Sequence, residues 1–212
     1  MERRNTLSER LVGWTTFLTE LMAVSGLLLL GCLPVVTAGA SCAAAYYTAV
    51  KALRRRRGGI WSCYWHSFRQ NLKQGVLFSL LILAVGGLLL FYRFAMGSME
   101  QFSTLYFALV ALLTVVFLGV LAWLFPLLSR YSMTSGRMLA VSLLLAAGHP
   151  LRTLGVVALL LLSGVLTVLL PPLVLLLPGL NNWAASFLQE PVFRRLPQES
   201  GMIPEEDPWY LE

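Results

Sequence analysis

The chain has 212 residues, of which 58% are hydrophobic and only 12% are charged, and its formal net charge is +6. Soluble domains carry about 25% charged residues, so this composition excludes an ordinary soluble domain. Uncharged stretches long enough to cross a hydrocarbon core, which takes about 20 residues, recur along the chain. The sequence therefore predicts an all-α, polytopic helical membrane protein with about four to six hydrophobic helices and an amphipathic interfacial helix.

The first predicted element is an apolar stretch over 11–50 in which Glu20 is the one charged residue. We predict a span over 11–33, a break near the far side of the membrane, and a return helix over 35–53. Small residues dominate the return helix, which suits close packing against other helices. A single crossing with the N-terminus outside is the alternative. The hairpin is favoured because it keeps the N-terminal arginines on the cytoplasmic side together with the later arginine run.

The next segment, 51–73, carries Lys and Arg without an acidic residue, and such segments favour the cytoplasmic side. Aromatic side chains at helical spacing over 60–73 predict an amphipathic helix that lies in the membrane plane, with anionic lipid beside it. Because the bilayer would occupy the aromatic face, no nucleic-acid binding is expected. The predicted membrane-interface residues are Arg54, Arg55, Arg56, Arg57, Trp61, Tyr64, Trp65 and Phe68.

Further spans are predicted over 75–96, 102–128 and 153–177. A short outer connection joins the first two of them, and a basic cytoplasmic connection follows the second. Within that connection, 132–148 contains Arg137 and is short for a crossing, so a second interfacial helix is predicted there. The predicted organisation is a single transmembrane domain over 1–178, followed by an acidic C-terminal tail over 179–212.

Few side chains in the sequence could carry chemistry. His66 and His149 lie in different segments, and neither has a carboxylate or cysteine set at metal-ligand spacing. No catalytic residue, cofactor site or metal site is predicted, and an enzyme is not expected. Glu20 is the candidate intramembrane polar site, because an ionisable group inside a span is costly and marks a pathway or a partner by default. The alternative is that Glu20 lies near the cytoplasmic interface.

Four motifs give the chain a family resemblance. They are Leu33-Pro34-Val35-Val36-Thr37-Ala38-Gly39, Tyr46-Tyr47 with Lys51, Phe68-Arg69-Gln70-Asn71-Leu72-Lys73-Gln74, and His149-Pro150-Leu151-Arg152-Thr153. In order and spacing, over about 11–178, the chain resembles YesL-like small bacterial integral membrane proteins, a family whose domain has no assigned function. The run Arg54-Arg55-Arg56-Arg57-Gly58-Gly59 is more basic than the family's usual connection.

The resemblance implies a location in the bacterial plasma membrane and an association with carbohydrate uptake, because family members are often encoded beside importers of the ATP-binding cassette type. The expected function is that of an accessory or regulatory membrane protein. Its expected partners are membrane lipid, importer permease subunits or further copies of the chain. The alternative is a small transporter or channel with its own substrate path. It is disfavoured because the spans offer few polar residues and show no inverted repeat.

Overall fold

A computed structural model describes residues 2–97, 104–193 and 196. Within these residues the secondary structure is helical and contains no strand, which confirms the all-α prediction. A π-helical turn, Ala49–Arg54, extends the second helix, and 3-10 turns at Val35–Thr37 and Pro171–Leu175 precede the second and last helices. The helices are α1 (Glu2–Cys32), α2 (Ala38–Thr48), α3 (Ile60–Gln70), α4 (Leu72–Gly97), α5 (Thr104–Leu128), α6 (Ser135–Gly148), α7 (Pro150–Leu169) and α8 (Leu177–Phe193).

Within the described ranges, four helices contain a segment that is long and apolar enough to cross a membrane. Three of them overlap the predicted spans over 11–33, 75–96 and 102–128. The predicted span over 153–177 is wrong at its end, because α7 stops at Leu169. Two prolines follow that stop and lack the amide hydrogen that a continuing helix would use. The four segments are Val12–Cys32, Leu72–Tyr92, Tyr106–Leu128 and Pro150–Leu169.

The helix α6 is the short apolar helix of the bundle. Its 14 residues extend about 21 Å, less than the hydrocarbon thickness of about 30 Å. It packs along α5, where the side chain of Ala146 approaches Gly119. Its length agrees with a helix that does not cross the bilayer.

The helices α1 and α2 form an antiparallel hairpin. Ser41 donates a hydrogen bond to the carbonyl oxygen of Leu28, and farther along the hairpin Arg56 pairs with Glu20. A return helix after the first span is therefore present. Its first turn, however, packs against the start of α4, where the Gly39 amide donates to Ser79 Oγ at 2.7 Å.

The contact between α2 and α4 corrects the predicted placement of the break. A Cβ atom on Gly75 would lie 2.5 Å from the amide nitrogen of Ala40, so the two backbones touch. Opposite faces of a membrane are about 30 Å apart, so the break cannot lie on the far side from the first turn of α4. Hydropathy located the break, but it carried no information about which helix would pack there.

The helix α8 corrects the predicted boundary at residue 178. Gln189, Glu190 and Phe193 of this helix are buried, and Asn181 donates to Ser163 of α7 at 2.6 Å. The packed structure therefore continues to residue 193. Glu190, the acidic residue of this helix, can be buried there because Arg130 neutralises it. The tail over 197–212, the outer connection over 98–103 and the side chain of Arg93 lie outside the described residues.

Candidate functional site

The predicted interfacial helix has one face turned to the protein. Cys63, Tyr64 and Ser67 of α3 are buried, mainly against α2. Away from this buried face, Trp61 is 64% exposed and His66 is also exposed. Trp65 and Phe68 lie between these extremes and pack edge to face on one another. The helix is thus anchored in the bundle, and the predicted aromatic face is divided between core and surface.

Tyr64 is a core residue, so its predicted membrane-interface role is wrong. The side chain is 1% exposed, and its hydroxyl donates to the Leu27 carbonyl oxygen at 2.9 Å and lies 2.9 Å from Ser41 Oγ. Burial raises the pKa of the Tyr64 phenol to about 12, so the hydroxyl stays protonated and able to donate. Helical spacing groups Tyr64 with Trp61, but it does not distinguish a lipid-facing side from a protein-facing side.

We expect Tyr64→Phe to lower the free energy of unfolding by about 0.5–1.5 kcal/mol, because it removes a buried hydrogen bond donor. Trp61→Phe should leave the free energy of unfolding nearly unchanged, since that ring is mostly exposed. Denaturant titration of both variants in the same detergent micelles measures the difference. A larger loss for Trp61→Phe than for Tyr64→Phe would contradict the burial described above.

The four arginines after α2 have different surroundings. Arg54 donates to the carbonyl oxygen of Ser186 at 2.8 Å and lies over the Phe187 ring at 4.3 Å. Arg55 lies 3.8 Å from the carboxylate of Glu190, and its side chain is 13% exposed. For Arg54 and Arg55 the predicted lipid contact is replaced by contact with α8. Arg56 and Arg57 are exposed, in keeping with the predicted interface.

Glu20, the predicted intramembrane polar site, forms an ion pair with Arg56. The side chains are 23% and 56% exposed, so the pair lies at the protein surface. Because Glu20 lies within the apolar segment Val12–Cys32, its position in the membrane stays a prediction. Exposed ion pairs contribute about 0–1 kcal/mol to stability, so we expect this pair to add little to the stability of the fold.

The main charged cluster inside the protein was missed by the sequence analysis. Arg130, just after α5, forms an ion pair with Glu190 of α8, and each residue is 1% exposed. The guanidinium lies over the rings of Phe193 at 4.9 Å and Tyr46 at 5.8 Å. Since Arg55 also reaches Glu190, the cluster joins α5, the end of α2 and α8. The available signal was that Arg130 and Glu190 each directly follow a long uncharged run. The two residues are far apart in sequence, so the sequence did not indicate that they pair.

A cavity of about 510 Å³ lies beside this cluster. Its walls come mainly from α5, α7 and α8, and α1 and α2 complete them through Leu28, Cys42 and Tyr46. Among the residues that the structure describes, no charged side chain lines the cavity, and its polar groups are hydroxyls, amides and one thiol. The polar residues along the α7 and α8 walls are Ser163, Thr167, Asn181, Asn182 and Gln189.

Metal and acid–base groups are dispersed over the part of the chain that the structure describes. No group of three or more His, Cys, Asp or Glu side chains there could hold a metal ion. His66 is exposed on α3, whereas His149 immediately precedes α7 with its ring 6.0 Å from that of Trp123.

The family comparison covers the first part of this architecture. Residues 14–92 match the model of the family described as "Protein of unknown function, DUF624". This range holds most of α1, all of α2 and α3, and most of α4, and it includes three of the four resemblance motifs. No curated protein and no solved structure gives a significant match. Residues 14–92 are therefore similar to the DUF624 family of unknown function, which is consistent with the resemblance of the chain to YesL-like membrane proteins.

Proposed function

We propose that the protein is an accessory or regulatory protein of the bacterial plasma membrane that associates with a carbohydrate importer of the ATP-binding cassette type. The expectation that the partner is such an importer comes from the family resemblance. The supporting observation in the structure is how charge is divided between the interior and the surface. Buried Arg130 and Glu190 neutralise one another, whereas exposed cations and an aromatic ring gather on α3 and the first turn of α4.

We define the α3 surface as Trp61, His66, Arg69, Gln70 and Lys73, all of which are exposed. Its two cations and its indole ring suit an anionic, partly apolar counterpart. Anionic lipid attracts such cations with about 1 kcal/mol for each Lys or Arg near the membrane. An acidic surface of a permease subunit at the same membrane face would be attracted in the same way. The α3 surface is therefore the proposed contact with the importer.

The charge arrangement also favours an accessory role over transport. Polar routes through membranes are lined by ionisable residues that face a cavity or a partner. Glu20 and Glu190 each have a cationic partner within the protein, and the cavity has no charged lining. Because both carboxylates are paired within the protein, recognition of a partner falls to side chains on the surface.

The test is affinity purification from native membranes in mild detergent, with the co-purifying chains identified by mass spectrometry. We expect permease subunits of a carbohydrate importer to accompany the wild-type protein. Reversal of charge in Arg69→Glu/Lys73→Glu should lower their recovery at least about tenfold, since like charges across an interface cost several kcal/mol. Arg152→Glu, a charge reversal at the start of α7, is the matched control and should retain the subunits.

Two results would contradict the proposal. One is that no importer subunit is enriched over a mock purification. The other is that the double variant of the α3 surface retains the subunits as well as the wild type does, while its unfolding midpoint in detergent is unchanged.

Transport by the chain itself is the second candidate, and the cavity of about 510 Å³ is the observation that favours it. Purified protein in vesicles, without other chains, separates the two functions. Uptake of a labelled sugar above that of protein-free vesicles would support transport and contradict the accessory role. We expect uptake to equal that of protein-free vesicles.

A further inference from the structure

We propose that the cavity between α5, α7 and α8 binds an uncharged, single-chain amphiphile with a hydroxyl head group, of the monoacylglycerol type, taken up from the bilayer. The proposal is independent of the importer. It depends on two features of the cavity: an apolar body bounded by membrane-spanning helices, and amide groups whose carbonyl oxygens lack hydrogen bonds.

The volume and the apolar walls of the cavity indicate the size and the charge of the ligand. A volume of about 510 Å³ falls within the range of about 300–1,000 Å³ that small-molecule pockets occupy. Leu118 of α5 and Val156 and Leu160 of α7 belong to its walls, and both helices are long enough to cross a membrane. A hydrocarbon chain is the material that surrounds such helices. Because the described part of the chain places no charged side chain in the cavity wall, a charged head group would be buried there without a counter-charge.

The amides set the chemistry of the head group. Gln189 donates through Nε2 to the carbonyl oxygen of Ala122 at 2.7 Å, and Asn182 donates through Nδ2 to that of Pro178 at 2.8 Å. Backbone carbonyls only accept hydrogen bonds, so in both side chains the nitrogen must be the atom at that contact. The carbonyl oxygen of each amide is therefore the group that remains for a ligand.

Asn181 has the same arrangement. Its Nδ2 lies 2.6 Å from Ser163 Oγ, and that hydroxyl donates its own hydrogen to the carbonyl oxygen of Leu160. Ser163 therefore accepts from the Asn181 nitrogen. Among the described residues no hydrogen bond reaches the side-chain oxygens of Asn181 and Asn182, and Oε1 of Gln189 is buried without a partner. Gln189 supplies the buried acceptor without a donor, and the partly buried Asn181 and Asn182 line the same cavity. A ligand with a hydroxyl group would donate to these oxygens without adding charge.

The first experiment uses a monoacylglycerol that carries a photoreactive diazirine in its acyl chain, added to the full-length protein in lipid nanodiscs. We expect labelling of peptides from α5, α7 or α8, and competition by unlabelled monoacylglycerol. Gly164 lines the cavity, and a Cβ atom on it would meet nothing within 4 Å. Gly164→Leu should therefore take up part of the cavity and reduce the labelling about tenfold, which corresponds to about 1.4 kcal/mol of binding free energy.

Gly87→Leu is the matched control. Gly87 lies in the membrane-crossing part of α4, does not line the cavity, and also has open space at its Cβ position. This variant should be labelled like the wild type. Equal labelling of Gly164→Leu and wild type, or labelling spread over all lipid-facing helices without competition, would overturn the proposal.

The second experiment tests the head group on the wild-type protein, so it does not depend on the folding of a variant. A fatty-acid methyl ester of the same chain length has no hydroxyl group. We expect it to compete about three- to tenfold less well than the monoacylglycerol, which corresponds to the loss of one hydrogen bond. In Asn182→Leu this preference should diminish. Equal competition by both compounds in the wild type would overturn the assignment of a hydroxyl-bearing ligand.

Discussion

Glu190→Gln is expected to lower the free energy of unfolding by about 3–5 kcal/mol, because removing one partner leaves the other charge buried without compensation. Arg130 is 1% exposed and lies between α5 and α8, where water cannot replace the lost carboxylate. The introduced glutamine amide would preserve the shape of the side chain and remove its charge, so the loss would report mainly electrostatics. Arg55, the second cation at this carboxylate, would lose its counter-charge as well.

Unfolding of the purified protein in mixed micelles, followed by circular dichroism, measures this loss. Glu20→Gln is the matched control, since it breaks the exposed pair with Arg56 and should cost no more than about 1 kcal/mol. Arg130→Met/Glu190→Leu should recover much of the stability lost in Glu190→Gln, because apolar replacement of both partners is often neutral or favourable. Similar losses for Glu190→Gln and Glu20→Gln would show that the cluster is not a buried ion pair.

Gly75→Val is expected to separate α2 from α4 and to reduce stability by about 1–3 kcal/mol or more, as overpacking does in a closely packed interior. The added Cβ would lie 2.5 Å from the backbone nitrogen of Ala40 and 2.6 Å from its Cα. Neither atom belongs to a flexible side chain, so relief requires a shift of the helices. The shift would also lengthen the hydrogen bond from the Gly39 amide to Ser79.

The measurement is the unfolding midpoint together with the yield of monodisperse protein. Gly87→Val is the control within the same helix, because a Cβ atom there meets nothing within 4 Å. If both variants unfold at the same denaturant concentration as the wild type, the break after α1 does not pack on α4, and the predicted position at the far membrane face becomes viable again.

Of these two sites, the cluster of Arg130 and Glu190 connects the segment matched by the family model to the rest of the chain. Gly75 lies within residues 14–92, whereas Arg130 and Glu190 lie beyond them. Arg54 and Arg55, inside the matched segment, both contact α8. The matched segment is therefore packed against the later helices, and truncation after α4 would expose the apolar face that α5 and α8 cover.

The α3 surface and the cavity are separate parts of the bundle, so their proposed roles can be tested separately. Trp61 and Arg69 are accessible from outside, whereas the Gln189 side chain is buried beside the cavity. Loss of importer subunits through surface variants and loss of ligand labelling through Gly164→Leu are consequently separate results. Either one can fail without the other.

Hydropathy and local chemistry determined the helical class, the positions of the main spans and the break after the first span. These properties depend on neighbouring residues, because a helix satisfies its own backbone hydrogen bonds and needs only sufficient apolar length to enter a membrane. The absence of charge over 104–128 and the prolines at 171–172 act in this local way. The correct helical class required no knowledge of tertiary contacts.

Only the tertiary structure decided which polar and aromatic side chains are buried. Tyr64 and Trp61 share one helical pattern, yet Tyr64 enters the core because Leu27 and Ser41 of the first hairpin offer it hydrogen bonds. Glu190 looked like part of a solvated tail, but Arg130 neutralises it inside the bundle. The free-energy cost of burying a charge depends on whether an opposite charge from a distant part of the sequence lies beside it. Helix packing decides whether such a partner is there. Local sequence contains the charges, whereas the fold alone determines their distances.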